Sequence, residues 1–197
     1  SVAQAVELLK SAERPLIIAG GGVRYALAEA SLARLAKARG IPVVETIAGK
    51  GGLTHDDPVH CGPLGVIGSS SANELAGEAD VVLAVGTRLQ DFTTGSWSAF
   101  APAARFIGLN AARFDAVKHR AVGDALEGLA ELDAALAEGR ADPGWLERGK
   151  QAFAAWNATL DELQKPTNQP VPTYAQVVAA VNRQAGERDL MVAAAGG

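Results

Sequence analysis

The chain has 197 residues, 48% of them hydrophobic, and a formal net charge of −4. This length suits one domain or slightly more, because domains usually contain about 100 to 200 residues. No apolar run approaches the roughly 20 residues that a membrane-spanning helix needs, and no basic run marks a nucleic-acid surface. A single cysteine excludes an internal disulfide and fits a reducing compartment. We therefore expect a cytoplasmic protein that spans no membrane and binds no nucleic acid.

The two ends of the sequence predict that the chain is a segment of a longer protein. It begins at Ser1, and its single methionine is Met191. It stops at 193–197, where an apolar run meets two glycines, and such a run usually turns into a further element. We therefore expect additional sequence beyond both ends.

Capping signals and short apolar runs predict the first elements. The S-x-x-Q pattern at the start predicts a helix over 1–11, and the apolar run 16–19 predicts a strand buried on both faces. The glycines 20–22 then turn the chain into one helix of about 15 residues that ends at Gly40. A second strand over 41–44 completes a β-α-β unit with parallel strands.

The middle of the chain combines a long loop with the clearest strand signal. The stretch 46–70 is glycine-rich and has no strong period, so we expect a functional or interfacial loop with one short strand near Val59. A capping box over 71–74 begins a helix that ends near Ala79. The apolar run 80–86 predicts a buried strand.

Strands over 105–110 and, more weakly, 118–122 follow. The helix after Gly123 has apolar positions at helical spacing, namely Leu126, Leu129, Leu132 and Leu136. Asp142 and Pro143 begin another helix as cap and first helical residue. We expect its large apolar residues to pack it onto a neighbour; they are Trp145, Leu146, Phe153 and Trp156.

Composition predicts a domain boundary near the end of the chain. The segment 165–172 contains three prolines and has no apolar period, which is typical of a linker. A capping box then begins a helix that carries Val177, Val178 and Val181, and a strand is expected over 190–193. We predict one domain over 1–164, a linker, and the incomplete start of a further domain over 173–197.

The alternation of short apolar strands and amphipathic helices predicts an α/β fold with a doubly wound, mainly parallel sheet of five to six strands. Ligands of such sheets bind outside the carboxyl ends of the strands, where the strand order reverses. The first candidates there are Gly20, Gly21 and Gly22, which form either a nucleotide-phosphate loop or a tight structural turn. Tyr25 stands where the dinucleotide fingerprint needs its third glycine.

The loop 86–97 follows the strongest strand and combines small, polar and aromatic residues. Gly86, Arg88 and Asp91 are its candidate binding residues: Arg88 either pairs with Asp91 or presents its guanidinium to a phosphate or ring. Asn110, at the end of the next strand, either binds a ligand hydroxyl or caps a turn.

Metal and nucleophile sites are not predicted. His55, His60 and Cys61 lie close together in sequence but have no standard metal-ligand spacing. His119 is interpreted as a solvated surface residue. No nucleophile motif is present, so no catalytic residue is assigned to this chain. A free-standing NAD-consuming deacylase is disfavoured, because such enzymes commonly need a zinc site of four cysteines.

Three motifs in order resemble the central domain of thiamine-diphosphate-dependent enzymes such as acetolactate synthase: 14–22, 40–46 and 79–88. More narrowly, the segment 86–97 with Asn110 is similar to the trihydroxycyclohexanedione hydrolases of inositol catabolism. The resemblance implies three α/β domains. Their order along the chain is a pyrimidine-binding domain, the central domain and a pyrophosphate-binding domain.

The resemblance places the catalytic glutamate in the first of these domains and the motif for magnesium and diphosphate in the third. This chain is then a non-catalytic scaffold and interface domain. Its partners are the missing pyrimidine- and pyrophosphate-binding domains, in a homodimer or homotetramer. The resemblance further implies that the parent enzyme hydrolyses a carbon–carbon bond with thiamine diphosphate and magnesium. The aromatic helix 143–163 is an alternative oligomerisation element, and Lys50 is expected to border the parent active site.

Some members of the family bind FAD or an adenine nucleotide in the central domain. Carried over to this sequence, the residues that contact it are Gly20 to Gly22, Gly86, Arg88 and Asn110. The family has aspartate where this chain has Asn110, which weakens ribose binding, and the hydrolase resemblance implies no FAD requirement. The alternative is an acetolactate synthase-like carboligase with an FAD or nucleotide site.

Overall fold

The computed structural model of the chain describes residues 2–112, 119–136 and 141–192. It divides into two compact units, 1–156 and 157–197. Its strands are β1 Pro15–Ala19, β2 Val43–Glu45, β3 His60–Pro63, β4 Val81–Val85, β5 Arg105–Asn110 and β6 His119–Val122. Its helices are α1 Val2–Lys10, α2 Gly21–Tyr25, α3 Glu29–Arg39, α4 Ser70–Glu78, α5 Asp91–Thr94, α6 Ala125–Ala135, α7 Pro143–Leu163 and α8 Tyr174–Gln184.

The strands form one six-stranded sheet in the order β3-β2-β1-β4-β5-β6. Every neighbouring pair is parallel. The predicted doubly wound α/β fold is therefore confirmed. Because β1 is flanked by β2 on one side and by β4 on the other, the strand order reverses between β1 and β4. Parallel sheets of this type place their ligand crevice at that reversal.

Helices cover both faces of the sheet and produce two apolar clusters. On one face, Ile17, Leu83 and Ile107 pack with apolar residues of α1, α3 and α6. On the other face, Ile18 and Val82 pack with apolar residues of α4 and with Trp145. The indole Nε1 of Trp145 also donates a hydrogen bond to the Pro15 carbonyl at 2.7 Å. Burial on both faces explains why the strands read as continuous apolar runs.

The entry into β1 is tied to the entry into β4. Asp80 accepts hydrogen bonds from two backbone amides, that of Glu13 at 2.9 Å and that of Arg14 at 3.0 Å. The Arg14 carbonyl in turn accepts from the Asp80 amide at 3.2 Å. These bonds align the two central strands at the amino edge of the sheet.

The single helix predicted after Gly22 is wrong, because the chain forms α2 and α3 with a break between them. At the break, the Leu27 amide donates to the Arg24 carbonyl and the Ala28 amide donates to the Val23 carbonyl. Leu27 has φ = 52°, in the left-handed region. This is the Schellman arrangement that ends a helix, with leucine where glycine is usual.

The cap predicted for the next helix is also wrong. Ser69, and not Ser71, caps α4 by accepting a hydrogen bond from the Ala72 amide. The buried Ser71 hydroxyl instead donates to the Cys61 carbonyl at 2.9 Å. Glu74, the other member of the predicted capping box, accepts a hydrogen bond from Arg148 at 2.8 Å.

Several other predictions are confirmed. A strand forms at His60–Pro63, next to Val59. Asp142 caps α7 by accepting from the Gly144 amide at 3.0 Å. Leu129 and Leu132 of α6 and Leu136, which directly follows it, are buried, whereas Leu126 is exposed. No described helix has the length and apolarity that a bilayer crossing requires.

The second unit contains α8, which begins with the predicted capping box of Thr173 and Gln176. Val177, Val178 and Val181 are all exposed. The strand predicted over 190–193 is not present in its described part, because residues 190–192 have no regular structure and remain exposed. A strand needs a neighbour for its backbone groups, and the described residues of this unit supply none. Three parts of the predicted elements, Ser1, Lys118 and Ala193, lie outside the described residues.

Candidate functional site

A cleft of about 700 Å³ opens at the carboxyl edge of the sheet. Its lining comes from the segments that follow β1, β2, β4 and β5, so it spans the reversal of strand order. Of the predicted site residues, Gly21, Gly22, Gly86, Arg88 and Asn110 line this cleft. The remaining two, Gly20 and Asp91, are not among the lining residues. The fold thus brings most of the candidate residues to one place.

The loops after β1 and β4 touch through their backbones. A Cβ atom on Gly20 would lie 2.3 Å from the Gly86 carbonyl oxygen, and one on Gly22 would lie 2.6 Å from the Gly86 Cα. The Gly22 amide donates to the Gly86 carbonyl at 2.9 Å. Gly86 itself has φ = 61°. All three glycines are therefore required for the close approach of the two loops, and the Gly22 amide already has a backbone acceptor.

The segment after β2 forms the next wall of the cleft. The Thr46 amide donates to the Ala19 carbonyl at 3.0 Å, and a Cβ on Gly49 would lie 2.1 Å from that same carbonyl oxygen. Gly21 faces Ala48, whose oxygen would lie 3.2 Å from a Cβ at position 21. These contacts hold Thr46, Ile47 and Ala48 along the cleft.

The loop 86–97 places Arg88 and Asp91 differently. Arg88 is exposed and lines the cleft. Asp91 begins α5, and its Oδ1 accepts a hydrogen bond from the Ser96 hydroxyl at 2.7 Å. This gives Asp91 a local partner at the start of a short helix, where a carboxylate is favoured.

Asn110 ends β5 and is almost fully buried, with 7% of its surface exposed. It lines the cleft next to Ala111 and Ala112. Its carbonyl accepts the Gly123 amide at 3.0 Å, which joins the end of β5 to the segment after β6. This bond continues the parallel pairing of β5 with β6, and Asn110 also lines the cleft. The two roles expected for its side chain, binding a ligand hydroxyl or capping a turn, stay predictions.

Sequence reasoning missed the apolar side chains at the mouth of the cleft. Tyr25, Ile47 and Phe92 line it and are 93%, 62% and 65% exposed. In the sequence, Tyr25 is marked only as the residue that replaces a glycine of the dinucleotide fingerprint. The sequence pattern that could have predicted these side chains is a large apolar residue soon after each of three strands that end at this edge.

A buried acid beside the cleft was missed as well. Glu45 is 3% exposed, and its Oε2 accepts the Gly51 amide at 3.1 Å. Its Oε1 lies 3.7 Å from Lys50 Nζ and 3.5 Å from His60 Nε2. The sequence pattern that could have predicted this acid is a glutamate directly after the apolar run 41–44. Glu45 fastens the turn at 50–51 to the end of β2.

Cys61, His55 and His60 are not grouped as metal ligands in the described structure. The His55 and His60 rings lie 6.0 Å apart, and His60 packs edge-on against Phe153 at 5.1 Å. Burial raises the pKa of the Cys61 thiol to about 12, whereas metals bind the thiolate. Across the described ranges, no three His, Cys, Asp or Glu side chains come together to hold a metal ion.

Residues 2–132 match the family described as the central domain of thiamine pyrophosphate enzymes. The sequence is also similar to three bacterial proteins named 3D-(3,5/4)-trihydroxycyclohexane-1,2-dione hydrolase. Identity is 37% over 169 residues for Clostridium perfringens, with 84% of this chain and 26% of the relative covered. It is 42% over 132 residues for Listeria monocytogenes, with 66% and 21% covered. It is 39% over 165 residues for Geobacillus thermodenitrificans, with 83% and 26% covered. The chain thus spans about a quarter of the length of these relatives.

Proposed function

Because this chain belongs to the central-domain family of thiamine pyrophosphate enzymes, we propose that it is the scaffold and interface domain of a larger thiamine-diphosphate-dependent hydrolase. The proposed parent reaction is hydrolytic cleavage of a carbon–carbon bond in trihydroxycyclohexanedione, a step of inositol catabolism. The observation that carries this proposal is the 36% to 42% identity to relatives that bear the hydrolase name. Those names do not favour the carboligase alternative.

In such enzymes thiamine diphosphate stabilises a carbanion next to the bond that breaks. The described residues of this chain do not fit that cofactor, because they offer no cluster of ligands for the magnesium ion that accompanies its diphosphate. We place thiamine diphosphate, with magnesium and the catalytic glutamate, on flanking pyrimidine- and pyrophosphate-binding domains.

The proposed domain plan keeps residues 1–164 as the central domain and 165–172 as a linker. Residues 173–197 would then begin the pyrophosphate-binding domain. The exposed valines of α8 support this plan, since an apolar helix face needs a partner. We further propose that the parent is a homodimer or homotetramer. The cytoplasm is its proposed location, which one buried, unpaired cysteine supports.

For the cleft we propose a vestigial nucleotide site without an FAD requirement. Two observations support this proposal. The Gly22 amide, which a phosphate loop would present to a ligand, donates to the Gly86 carbonyl instead. Asn110 supplies an amide where a ribose-binding carboxylate is expected. The purified protein should be colourless and should release no nucleotide on denaturation; a yellow protein, or one nucleotide per chain, contradicts the proposal.

The hydrolase proposal is tested with the longer polypeptide that contains this sequence. Supplied with thiamine diphosphate and magnesium, it should hydrolyse 3D-(3,5/4)-trihydroxycyclohexane-1,2-dione. Circular dichroism should first establish that the 197-residue chain is folded. This chain should then show no turnover under the same conditions. Formation of acetolactate without dione hydrolysis would favour the carboligase. Turnover by the 197-residue chain would show that the scaffold role is wrong.

A further inference from the structure

Glu45 is a charged residue at an otherwise apolar level of the sheet. It ends β2 at the carboxyl edge, directly before the segment 46–48 that lines the cleft. The strand registers pair position 45, one strand after another, with positions on the other five strands. These positions hold Pro63, Ala19, Val85, Leu109 and Ala121. The sheet itself therefore favours an apolar side chain at position 45.

Packing alone gives no reason for this carboxylate. Glu45 is 3% exposed, and removing a charge from water costs free energy that its partners must offset. A buried ion pair seldom stabilises a fold more than well-packed apolar side chains of similar volume do. The acid is therefore explained better by what it holds than by what it contributes to the core.

Both oxygens of Glu45 contact the turn that follows the cleft wall. Oε2 accepts the Gly51 amide at 3.1 Å, and Oε1 lies 3.7 Å from Lys50 Nζ. The backbone of the same turn has a further support, because Arg24 Nη1 donates to the Lys50 carbonyl at 3.1 Å. Both the main chain after Lys50 and the tip of its side chain are therefore held.

The pair is asymmetric, with a buried acid and an exposed base. The Lys50 side chain is 76% exposed, whereas that of Glu45 is 4% exposed. Oε1 also lies 3.5 Å from Nε2 of His60, a buried residue whose ring packs edge-on against Phe153. The carboxylate is thus a fixed anchor, and Lys50 is the member that reaches solvent. An ammonium has three N–H donors, so pairing with one carboxylate oxygen leaves donors for a ligand.

We propose that Glu45 is a positioning residue of the parent reaction: it holds Lys50 so that the ammonium binds oxygen atoms of the substrate. The inference rests on the proposed function, which gives this domain a parent enzyme with an oxygen-rich substrate. The dione of that proposal has hydroxyl and carbonyl oxygens, which accept hydrogen bonds from an ammonium. Lysine is flexible, and a carboxylate that fixes its tip lowers the entropy lost on binding. Glu45 acts only through Lys50.

The test is a double-mutant cycle in the longer polypeptide, supplied with thiamine diphosphate and magnesium. Glu45→Gln keeps an oxygen for the Gly51 amide but removes the charge beside Lys50. It should lower kcat/KM about fivefold, chiefly through a higher KM, because a loosely held ammonium weakens substrate binding. In a Lys50→Ala background the same substitution should change kcat/KM less than about twofold, since residues that act through each other are not additive.

The matched control is Glu74→Gln. It removes a carboxylate from the ion pair of α4 with Arg148, where the two atoms are 2.8 Å apart, and it should leave kcat and KM unchanged. Circular dichroism establishes that each variant is folded. If Glu45→Gln does not fold, Glu45→Asp replaces it. The shorter carboxylate keeps the charge but lies farther from Lys50, so it should raise KM in the same way.

A spectroscopic measurement on the 197-residue chain needs no turnover. Methylation with isotope-labelled formaldehyde gives each lysine ammonium a methyl resonance, and the Lys50 resonance is the one that Lys50→Ala removes. Glu45→Gln should shift the Lys50 resonance, because the neighbouring charge is lost. The resonance of Lys10, on α1, should stay in place.

Each part of the test has a result that would overturn the proposal. An equal loss of kcat/KM with and without Lys50 would show that Glu45 does not act through it. An unchanged KM in Glu45→Gln, or a similar rise in Glu74→Gln, would show that this carboxylate has no specific part in substrate binding. An unmoved Lys50 resonance would show that Glu45 does not hold the ammonium. Acetolactate formation without dione hydrolysis would instead refute the proposed hydrolase, and the cycle is then measured on that reaction.

Discussion

Gly22 and Gly86 bring the loops after β1 and β4 into backbone contact. The Gly22 amide donates to the Gly86 carbonyl at 2.9 Å, and a Cβ at position 22 would lie 2.6 Å from the Gly86 Cα. Gly22→Ala should therefore force the loops apart and lower the free energy of unfolding by about 1–3 kcal/mol, as overpacking usually does. Urea denaturation followed by circular dichroism measures this change.

The matched control is Gly123→Ala. A Cβ at Gly123 meets no heavy atom within 4 Å. Its backbone is outside the left-handed region, so this substitution should leave stability unchanged or raise it by about 0.4–1 kcal/mol. If both variants unfold at the same urea concentration, contact between the loops does not explain the glycine at position 22.

Leu27→Gly should stabilise the protein. Leu27 has φ = 52° and is 79% exposed, so it carries backbone strain and contributes little burial. A non-glycine residue in the left-handed region costs roughly 1–2 kcal/mol, and the entropic cost of glycine offsets about half of that. The expected gain is about 0.5–1 kcal/mol in the free energy of unfolding. Leu27→Ala keeps the Cβ and should show no gain; an equal gain in both variants would contradict the strain argument.

Stability should fall at alkaline pH because of Cys61. Burial raises the pKa of this thiol from 9.0 to about 12. Above pH 9 the unfolded thiol ionises while the folded one stays protonated, so the unfolded state binds fewer protons and stability decreases up to about pH 12. The slope is about 1.4 kcal/mol per pH unit at most.

The measurement for Cys61 is a series of urea denaturations between pH 7 and 11 on the native protein and on Cys61→Ala. The difference in unfolding free energy between the two should be constant below pH 9 and should then change in favour of the variant. Other alkaline titrations cancel in this difference. Parallel curves over the whole range would show that the buried thiol does not contribute.

Lys50→Ala should impair the longer enzyme, which tests the expectation that Lys50 borders the parent active site. The Lys50 carbonyl accepts a hydrogen bond from Arg24 Nη1 at 3.1 Å, and its Nζ lies 3.7 Å from Glu45 Oε1 while remaining 76% exposed. A held but accessible ammonium suits contact with an oxygen-rich substrate. We expect a loss of about tenfold in kcat/KM, equivalent to about 1.4 kcal/mol. Lys10→Ala, on α1, is the control; normal turnover in Lys50→Ala would refute the expectation.

The sequence predicts the sheet well because its signals are local. The runs at β1 and β4 are apolar at every position, and a strand buried on both faces requires that pattern. In β5 the apolar residues lie between the terminal Arg105 and Asn110. The parallel arrangement follows from the helices between strands. The crevice follows in turn, since its position depends on topology rather than on any one side chain. This is why Gly22, Arg88 and Asn110 are found at the cleft.

The features that the sequence does not predict depend on contacts between distant segments or on unusual residues. Leu27 ends a helix in a conformation that usually needs glycine, so no residue type announces the break. Ser71 has the pattern of a cap, but its hydroxyl is used by the Cys61 carbonyl. The Val66 amide donates to the Phe92 carbonyl, and periodicity within either segment does not predict this contact. Contacts of this kind between distant segments become evident only in the three-dimensional structure.

The bonds from Asp80 to the amides of Glu13 and Arg14 have a consequence for synthesis on the ribosome. Sixty-six residues separate Arg14 from Asp80, so β1 emerges from the ribosome long before the strand that covers its second edge. At about 5–20 residues per second, β1 waits several seconds with that edge open. During this interval an apolar strand with unpaired backbone groups is a target for chaperones and for aggregation. Pauses in translation before position 80 should therefore lower the yield of soluble protein more than pauses after β4 is complete.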